Sequence, residues 1–253
     1  MNITFLGTGT SQGIPVVACP CEVCHSTNKK DNRLRTSILI ETNDKAFTID
    51  AGPDFRYQML RNDVKHLDAI LITHSHKDHI GGLDDVRSFN YLQQKPMDVF
   101  VSPFHQTELK REYSYAFKKS PYPGVPSFNL VDLTDEPFFI GKTRITPLPV
   151  LHMTMEVTGF RIDDFAYITD TNYIPGNILA QLLDCKIIVL NALRKKKHLS
   201  HYNLEEAVNV LKFLHPEKAY ITHISHLMGF HKEVNTELPD FIELAYDGME
   251  INI

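Results

Sequence analysis

The segment Thr73-His74-Ser75-His76-Lys77-Asp78-His79 places three imidazoles and a carboxylate within six residues. His74 and His76 are two apart, so on an extended segment both side chains point to one side, while Asp78 and His79 follow in a turn. One cation can take the first pair and a second cation the next. A carboxylate oxygen mixed with imidazole nitrogens suits Zn²⁺, Mn²⁺ or Fe²⁺ rather than Ca²⁺. Two such ions sharing a hydroxide would bring the pKa of water towards neutrality and align the nucleophile with a bound ester, which is hydrolytic chemistry.

A second group of ligand-type residues is Cys19-Pro20-Cys21-Glu22-Val23-Cys24, which holds three of the four cysteines. In a reducing compartment such spacing reads as a metal site rather than as disulfides. A structural zinc needs a fourth ligand to close its tetrahedron, and His25, Cys185 and His226 are the candidates. Gly7, Gly9 and Gly13 depart from G-x-G-x-x-G and no Walker lysine follows them, so they read as a tight turn.

These residues need a scaffold. Residues 3–6, 37–41 and 46–50 are short strand-like runs bounded by turn residues, and the apolar run 67–73 predicts a buried strand that delivers the histidines at its C-terminal end. Leu83, Val86 and Phe89 have helical spacing; a strand at 99–101 and a charged, Tyr-rich helix at 108–119 follow. Strands are expected at 143–148, 156–162 and 165–169, the last two joined by an Asp163-Asp164 hairpin turn, and again at 187–191. A helix at 204–214 carries Asn203 as N-cap with Glu206 as its capping-box partner, and Pro216 ends it. Two β-rich halves, each followed by helices, predict an α+β fold with a sheet-on-sheet core and helices outside. With no tandem repeat or low-complexity linker, residues 1–253 read as one domain.

Composition sets outer limits. A hydrophobic share of 43% over 253 residues is that of a folded globular chain. A formal net charge of -5 gives no general attraction to nucleic acid. The N-terminus lacks a basic n-region, and no apolar stretch approaches the roughly 20 residues that cross a bilayer, so a cytoplasmic protein without membrane contact is expected.

His74, His76, Asp78 and His79 match His-x-His-x-Asp-His letter for letter, and over essentially its whole length the sequence resembles the metallo-β-lactamase superfamily. The resemblance implies a four-layer αββα sandwich and further ligands at strand ends. His152 would complete the first site, Asp170 would bridge the two cations, and His223 would complete the second. Asp50 matches an early aspartate that orients ligands. Flavodiiron oxidases of this fold carry Glu where this chain has His76, and the secreted antibiotic-degrading branch usually lacks the Asp78-His79 pair, so both are disfavoured.

Together with the opening Leu6-Gly7-Thr8-Gly9-Thr10, the cysteine cluster makes the sequence similar to the cyclic phosphodiesterase branch found with the carbon-phosphorus lyase pathway. That likeness implies a structural zinc on Cys19, Cys21, Cys24 and His226, which would staple the N-terminal loop to the segment carrying His223. It also implies that His201 contacts the phosphate and acts as general acid, with His198 as the competing choice, and gives Asp78 a catalytic as well as a ligand role.

The expected function is phosphodiester hydrolysis of a small cyclic or nucleotide/sugar phosphodiester through a metal-bridging hydroxide. The expected cofactors are two divalent ions in the active site, zinc or manganese, and one structural zinc. The basic run Arg194-Lys195-Lys196-Lys197 and the pair Lys118-Lys119 suit an anionic substrate, while Tyr113, Tyr115, Phe117 and Tyr122 read equally as ribose or base contacts or as core. Competing readings are a tRNA 3′-processing endonuclease, a thioesterase of the glyoxalase II type and a non-catalytic metal-binding partner protein. A homodimer stays open.

Overall fold

The computed structural model describes residues 1–118 and 122–253. The first half contains β1 (Asn2–Gly7), β2 (Ser37–Glu41), β3 (Ala46–Ile49), α1 (Phe55–Arg61), β4 (Ala69–Leu71), α2 (Lys77–Ile80), α3 (Arg87–Gln93), β5 (Met97–Val101), α4 (Pro103–Glu112) and β6 (Phe128–Asp132). The second contains β7 (Phe138–Ile140), β8 (Thr143–His152), β9 (Met155–Ile162), β10 (Phe165–Ile168), α5 (Gly176–Leu182), β11 (Ile187–Asn191), α6 (Leu204–Leu214), β12 (Lys218–Thr222), α7 (His231–Glu237), β13 (Ile242–Leu244) and β14 (Glu250–Asn252).

Among the described residues these strands form two seven-stranded sheets, in the orders β14-β1-β2-β3-β4-β5-β6 and β13-β12-β11-β10-β9-β8-β7. Each sheet is mixed: β3 to β6 run parallel, as do β10 to β13, and the remaining neighbours are antiparallel. The last strand closes the first sheet, with Ile251 opposite Ile3.

Alternation along the strands builds the layers, because successive side chains leave opposite faces. From β10, Phe165 and Tyr167 enter the core between the sheets with Phe5, Phe47, Leu71 and Phe160. Ala166 and Ile168 point the other way, into a core with Leu182 of α5 and Leu211 and Leu214 of α6. On the first sheet Ala69 and Leu71 face inward, whereas Ile70 and Ile72 pack outward against Phe55, Leu83 and Phe89. The result is the helix-sheet-sheet-helix arrangement expected from the resemblance.

Helix α6 has the expected bounds. Its capping box forms, with Glu206 N–H donating to Asn203 Oδ1 at 2.8 Å and Asn203 N–H donating to Glu206 Oε2 at 3.0 Å, a device worth about 1 kcal/mol. The cap also fixes the approach to the helix, since Tyr202 N–H donates to Thr171 O at 2.9 Å and Leu204 N–H to Arg194 O at 3.0 Å.

The strand expected at 143–148 runs on to His152, and Leu83 and Val86 lie in a 3-10 turn before α3; two further elements differ for reasons of contact. Only Ala69–Leu71 of the run 67–73 is strand, because side chains take over the backbone at both ends: Leu67 N–H donates to Gln93 Oε1 and Thr73 N–H to Asp50 Oδ1, each at 2.9 Å. The expected Tyr-rich helix at 108–119 is instead α4, which begins at Pro103, a residue suited to the first helical turn. It ends when Tyr113 turns into the core and its hydroxyl donates to Ile80 O at 2.7 Å. Lys119 lies outside the described residues.

Candidate metal centre

Three side chains of the site sit at strand ends in the left-handed backbone region. Asp50 follows β3 with φ 65°, Asp170 lies just beyond β10 with φ 56°, and His223 follows β12 with φ 56°. Asp and His are among the residues that best tolerate this region, although it still costs stability and is found disproportionately at functional sites. The turn at each strand end gathers the three at one rim of the sandwich. Gly52 lets the histidine loop lie against this rim, because a Cβ at position 52 would meet Asp78 O at 2.0 Å.

A hydrogen-bond chain orients the first imidazoles. The Thr73 hydroxyl donates to the Asp50 carboxylate, 2.9 Å from Oδ2. His74 Nδ1 lies 3.0 Å from that hydroxyl oxygen and donates to it, while His79 Nδ1 donates directly to Asp50 Oδ2 at 2.6 Å. One buried carboxylate thus fixes the tautomers of two histidines and leaves both Nε2 atoms for a cation. Those atoms, His74 Nε2 and His79 Nε2, are buried without a hydrogen-bond partner among the described residues. His152 is set in the same way, with Nδ1 donating to Ser200 O at 2.8 Å.

The ligand atoms of Asp78, His79, Asp170 and His223 all lie within 4.8 Å of one another. His79 Nε2 is 3.2 Å from both Asp78 Oδ2 and Asp170 Oδ2. His223 Nδ1 lies 2.9 Å from Asp170 Oδ2, and its Nε2 lies 3.0 Å from the Thr10 hydroxyl oxygen. Beside this group the rings of His74, His76 and His152 stand 4.5 to 5.9 Å apart. Burial, with the neighbouring His79, holds His74 well below the usual histidine pKa, and burial lowers His76 and His152 too. Burial thus favours the neutral form of all three, the form that ligates a metal. Burial also opposes charge on His79, yet Asp170, Asp78 and Asp50 raise its pKa well above the ordinary value. Carboxylate oxygens gathered with imidazole nitrogens suit a cation, and the mixed nitrogen and oxygen donors suit a divalent one.

His201 stands at the edge of this cluster. Its ring is 4.7 Å from that of His152 and 4.9 Å from that of His223. Nδ1 is buried, without a hydrogen-bond partner among the described residues, and 3.9 Å from Asp170 Oδ1. Burial pushes its pKa down to about 3, so the free protein holds it neutral. His198 is exposed, its Nδ1 engaged by Ser200, with its ring 5.3 Å from that of His201.

The three N-terminal cysteines meet His226, all four ligand atoms lying within 4.8 Å of one another. His226 Nδ1 is 3.4 Å from Cys19 Sγ and 3.2 Å from Cys21 Sγ. Ligands on a tetrahedral zinc, at about 2.3 Å for sulfur and about 2.0 Å for nitrogen, stand about 3.5 Å apart, so the group fits that ion. The other candidate fourth ligands are elsewhere: His25 is exposed and turned to Cys21 O, and Cys185 is buried in the core beneath α5.

The aromatic residues after α4 divide between core and surface. Tyr113 is buried, and the Tyr115 hydroxyl donates to Asp84 Oδ1 at 2.5 Å; both brace the helices behind the site. Phe117 stacks on Phe128 and Tyr122 is exposed. In the basic run, Arg194 bonds the carbonyls of Lys196 and Lys197, Lys195 pairs with Glu237, and Lys196 and Lys197 are exposed. The glycine turn serves His223: Thr10 N–H donates to Ile224 O and Ile224 N–H to Thr8 O. Thr10, Thr73 and Ser200 are supporting residues that motif spacing misses; only the position of Thr73 immediately before the motif could have drawn notice.

A model of the β-lactamase superfamily domain matches residues 45–224. The chain is similar to the crystal structure of a diphosphatase from the PhnP family, with a TM-score of 0.93 and 36% identity over 99% of this chain and 96% of that one. It is also 36% identical over 253 residues to an octanoyltransferase of Porphyromonas gingivalis, covering 99% of this chain and 51% of that protein. A ribonuclease Z of Crocosphaera subtropica is 32% identical over 126 residues, which is 48% of this chain and 36% of the ribonuclease. The chain thus spans about half the length of the first of these curated relatives. With the sandwich, the strand-end residues and the full-length likeness together, the chain belongs to the metallo-β-lactamase superfamily and, within it, to the PhnP family.

Proposed function

We propose that this hydrolase cleaves a phosphodiester or diphosphate bond in a small anionic substrate, such as a cyclic or nucleotide/sugar phosphodiester, with two divalent cations, zinc or manganese. The observation that carries this reading is the cluster of His74, His76, Asp78, His79, His152, Asp170 and His223, in which His74, His79, Asp170 and His223 are buried. A full-length relative at 36% identity is described as a diphosphatase, which supports the phosphate chemistry.

His74, His76 and His152 would hold one cation, Asp78, His79 and His223 the other, and Asp170 both. Such ions supply charge neutralisation for a phosphoryl oxygen and acidify water. Asp50 keeps the imidazole nitrogens aimed. His201 borders the cluster, where it can contact a substrate phosphate and protonate the departing oxygen. Its imidazole is neutral in the free protein, and an anionic phosphate beside it favours the charged, proton-donating form. Lys196 and Lys197 add positive charge at the surface close to this loop.

The test is an assay of metal-reconstituted protein on bis-p-nitrophenyl phosphate, a 2′,3′-cyclic nucleotide, a dinucleotide diphosphate, S-lactoylglutathione, an octanoyl thioester and precursor tRNA. Turnover of a small phosphodiester or diphosphate is expected. Cleavage of a thioester alone, or of precursor tRNA alone, overturns the reading.

A further inference from the structure

His105 lies outside the motif and the strand ends, yet its ring bridges both halves of the first metal site. It is the third residue of α4, 2% exposed, with its ring 6.2 Å from that of His74. Nδ1 is 2.9 Å from Ser75 Oγ and 3.3 Å from Ser75 N. Nε2 is 3.0 Å from Glu156 O. The backbone N–H of Ser75 can only donate and the carbonyl of Glu156 can only accept, so Nδ1 is the acceptor and Nε2 carries the hydrogen. Both nitrogens are engaged, which leaves neither to ligate a cation nor to exchange a proton with substrate.

The two ends of this bridge are informative. Ser75 is the residue between His74 and His76. Glu156 lies on β9 opposite Leu151 of β8, and the next pair along that hairpin is Met155 opposite His152. One planar ring therefore spans from the first-sheet loop with two imidazole ligands to the second-sheet hairpin with the third. Another link joins the same elements, Thr158 N–H donating to Thr73 O at 3.0 Å, one residue before His74. A single backbone bond fixes a distance but leaves the 74–76 loop free to rock about it; the His105 ring adds a second, rigid point on the far side of His74.

We propose that His105 is a positioning residue that sets the separation and tilt of His74 and His76 relative to His152, and so the affinity of the first cation site. The inference rests on the metal-site reading above. Outer partners of ligating residues typically contribute about 10–100-fold in metal affinity.

The test uses His105→Ala and His105→Asn in the full chain. Asn keeps an acceptor where Nδ1 stood, facing Ser75, but is too short to reach Glu156. Zinc and manganese affinities are measured by competition with a chelator, the fold by circular dichroism and the Cys19, Cys21 and Cys24 group by thiol accessibility. The expected result is one active-site cation held about 10–100-fold more weakly in His105→Ala, a smaller loss in His105→Asn, the other cation near wild-type affinity and the thiols protected throughout. Should the alanine variant fail to fold, the asparagine variant decides. A folded variant that binds both active-site cations as wild type does overturns the proposal, and so does equal weakening of both sites in step with lost thermal stability. Wild-type protein that takes up no pair of cations overturns the metal-site reading itself, which separates the two failures.

Discussion

His79 Nδ1 lies 2.6 Å from Asp50 Oδ2, and neither side chain is exposed to solvent. Through the Thr73 hydroxyl the same carboxylate supports His74, so it serves an imidazole of each cation site. Asp50→Ala should therefore weaken both cations, by about 10–100-fold each. Asp50→Asn, which keeps an acceptor but not the charge, should fall between. Isothermal titration of stripped protein with zinc checks this, and an alanine variant that takes up two active-site cations with wild-type affinity contradicts it.

His201 borders the cluster without belonging to the orienting chain of Asp50. His201→Ala should reduce turnover of a phosphodiester by about 10²–10⁴-fold, the usual contribution of a positioned general acid, with two active-site cations still bound. A substrate with a good leaving group, such as a p-nitrophenyl ester, should lose less than an alkyl ester. Equal losses on both substrates would remove the proton-donor role.

The Cys19, Cys21, Cys24 and His226 group joins the N-terminal loop to a residue three positions after His223. Cys21→Ser should lower the metal content by one ion per chain in native mass spectrometry and make residues 14–24 more open to limited proteolysis. In stripped protein the His226 hydrogen bond holds the Cys21 thiol below its usual pKa, while burial pushes Cys24 up to about 11. Alkylation at neutral pH should then mark Cys21 well before Cys24. Wild-type metal content in the serine variant would exclude a zinc at this place.

Away from the site, Asp68 ties the start of β4 to β3. Burial raises its pKa, but hydrogen bonds from Lys45, from Ala46 N–H and from His66 outweigh burial and hold it below the ordinary aspartate value. A carboxyl whose folded pKa is depressed contributes stability above its unfolded pKa and loses it as pH falls through the folded one. The melting temperature of wild type should exceed that of Asp68→Asn at pH 7, with the gap closing on acidification below about pH 4, the ordinary aspartate value. A gap that widens towards acid reverses the sign and contradicts the assignment.

The site was legible where chemistry is local in sequence. His74, His76, Asp78 and His79 lie within six residues, and the resemblance points to His152, Asp170 and His223, each at the end of a hydrophobic run. The residue pattern predicts a sheet-on-sheet core with helices outside and the resemblance implies the αββα layering, in which the wholly apolar β10 divides its residues between two cores. What escaped was set by tertiary contact. His105 sits in a helix whose sequence says nothing of Ser75 or Glu156, and Thr10 matters only because the glycine turn folds back on His223. Tyr113 ended α4 early by reaching Ile80, a contact between elements that residue spacing does not encode.

The central claim is that the His and Asp cluster binds two cations and uses them to cleave a phosphate ester. The most direct measurement is a titration of stripped protein with manganese or zinc, following bound metal and hydrolysis of a small phosphodiester or diphosphate in the same sample. Hydrolysis should appear with metal binding and saturate when the two active-site equivalents are filled. Full hydrolysis by stripped protein, or two filled sites with no phosphate ester cleaved, would contradict the account.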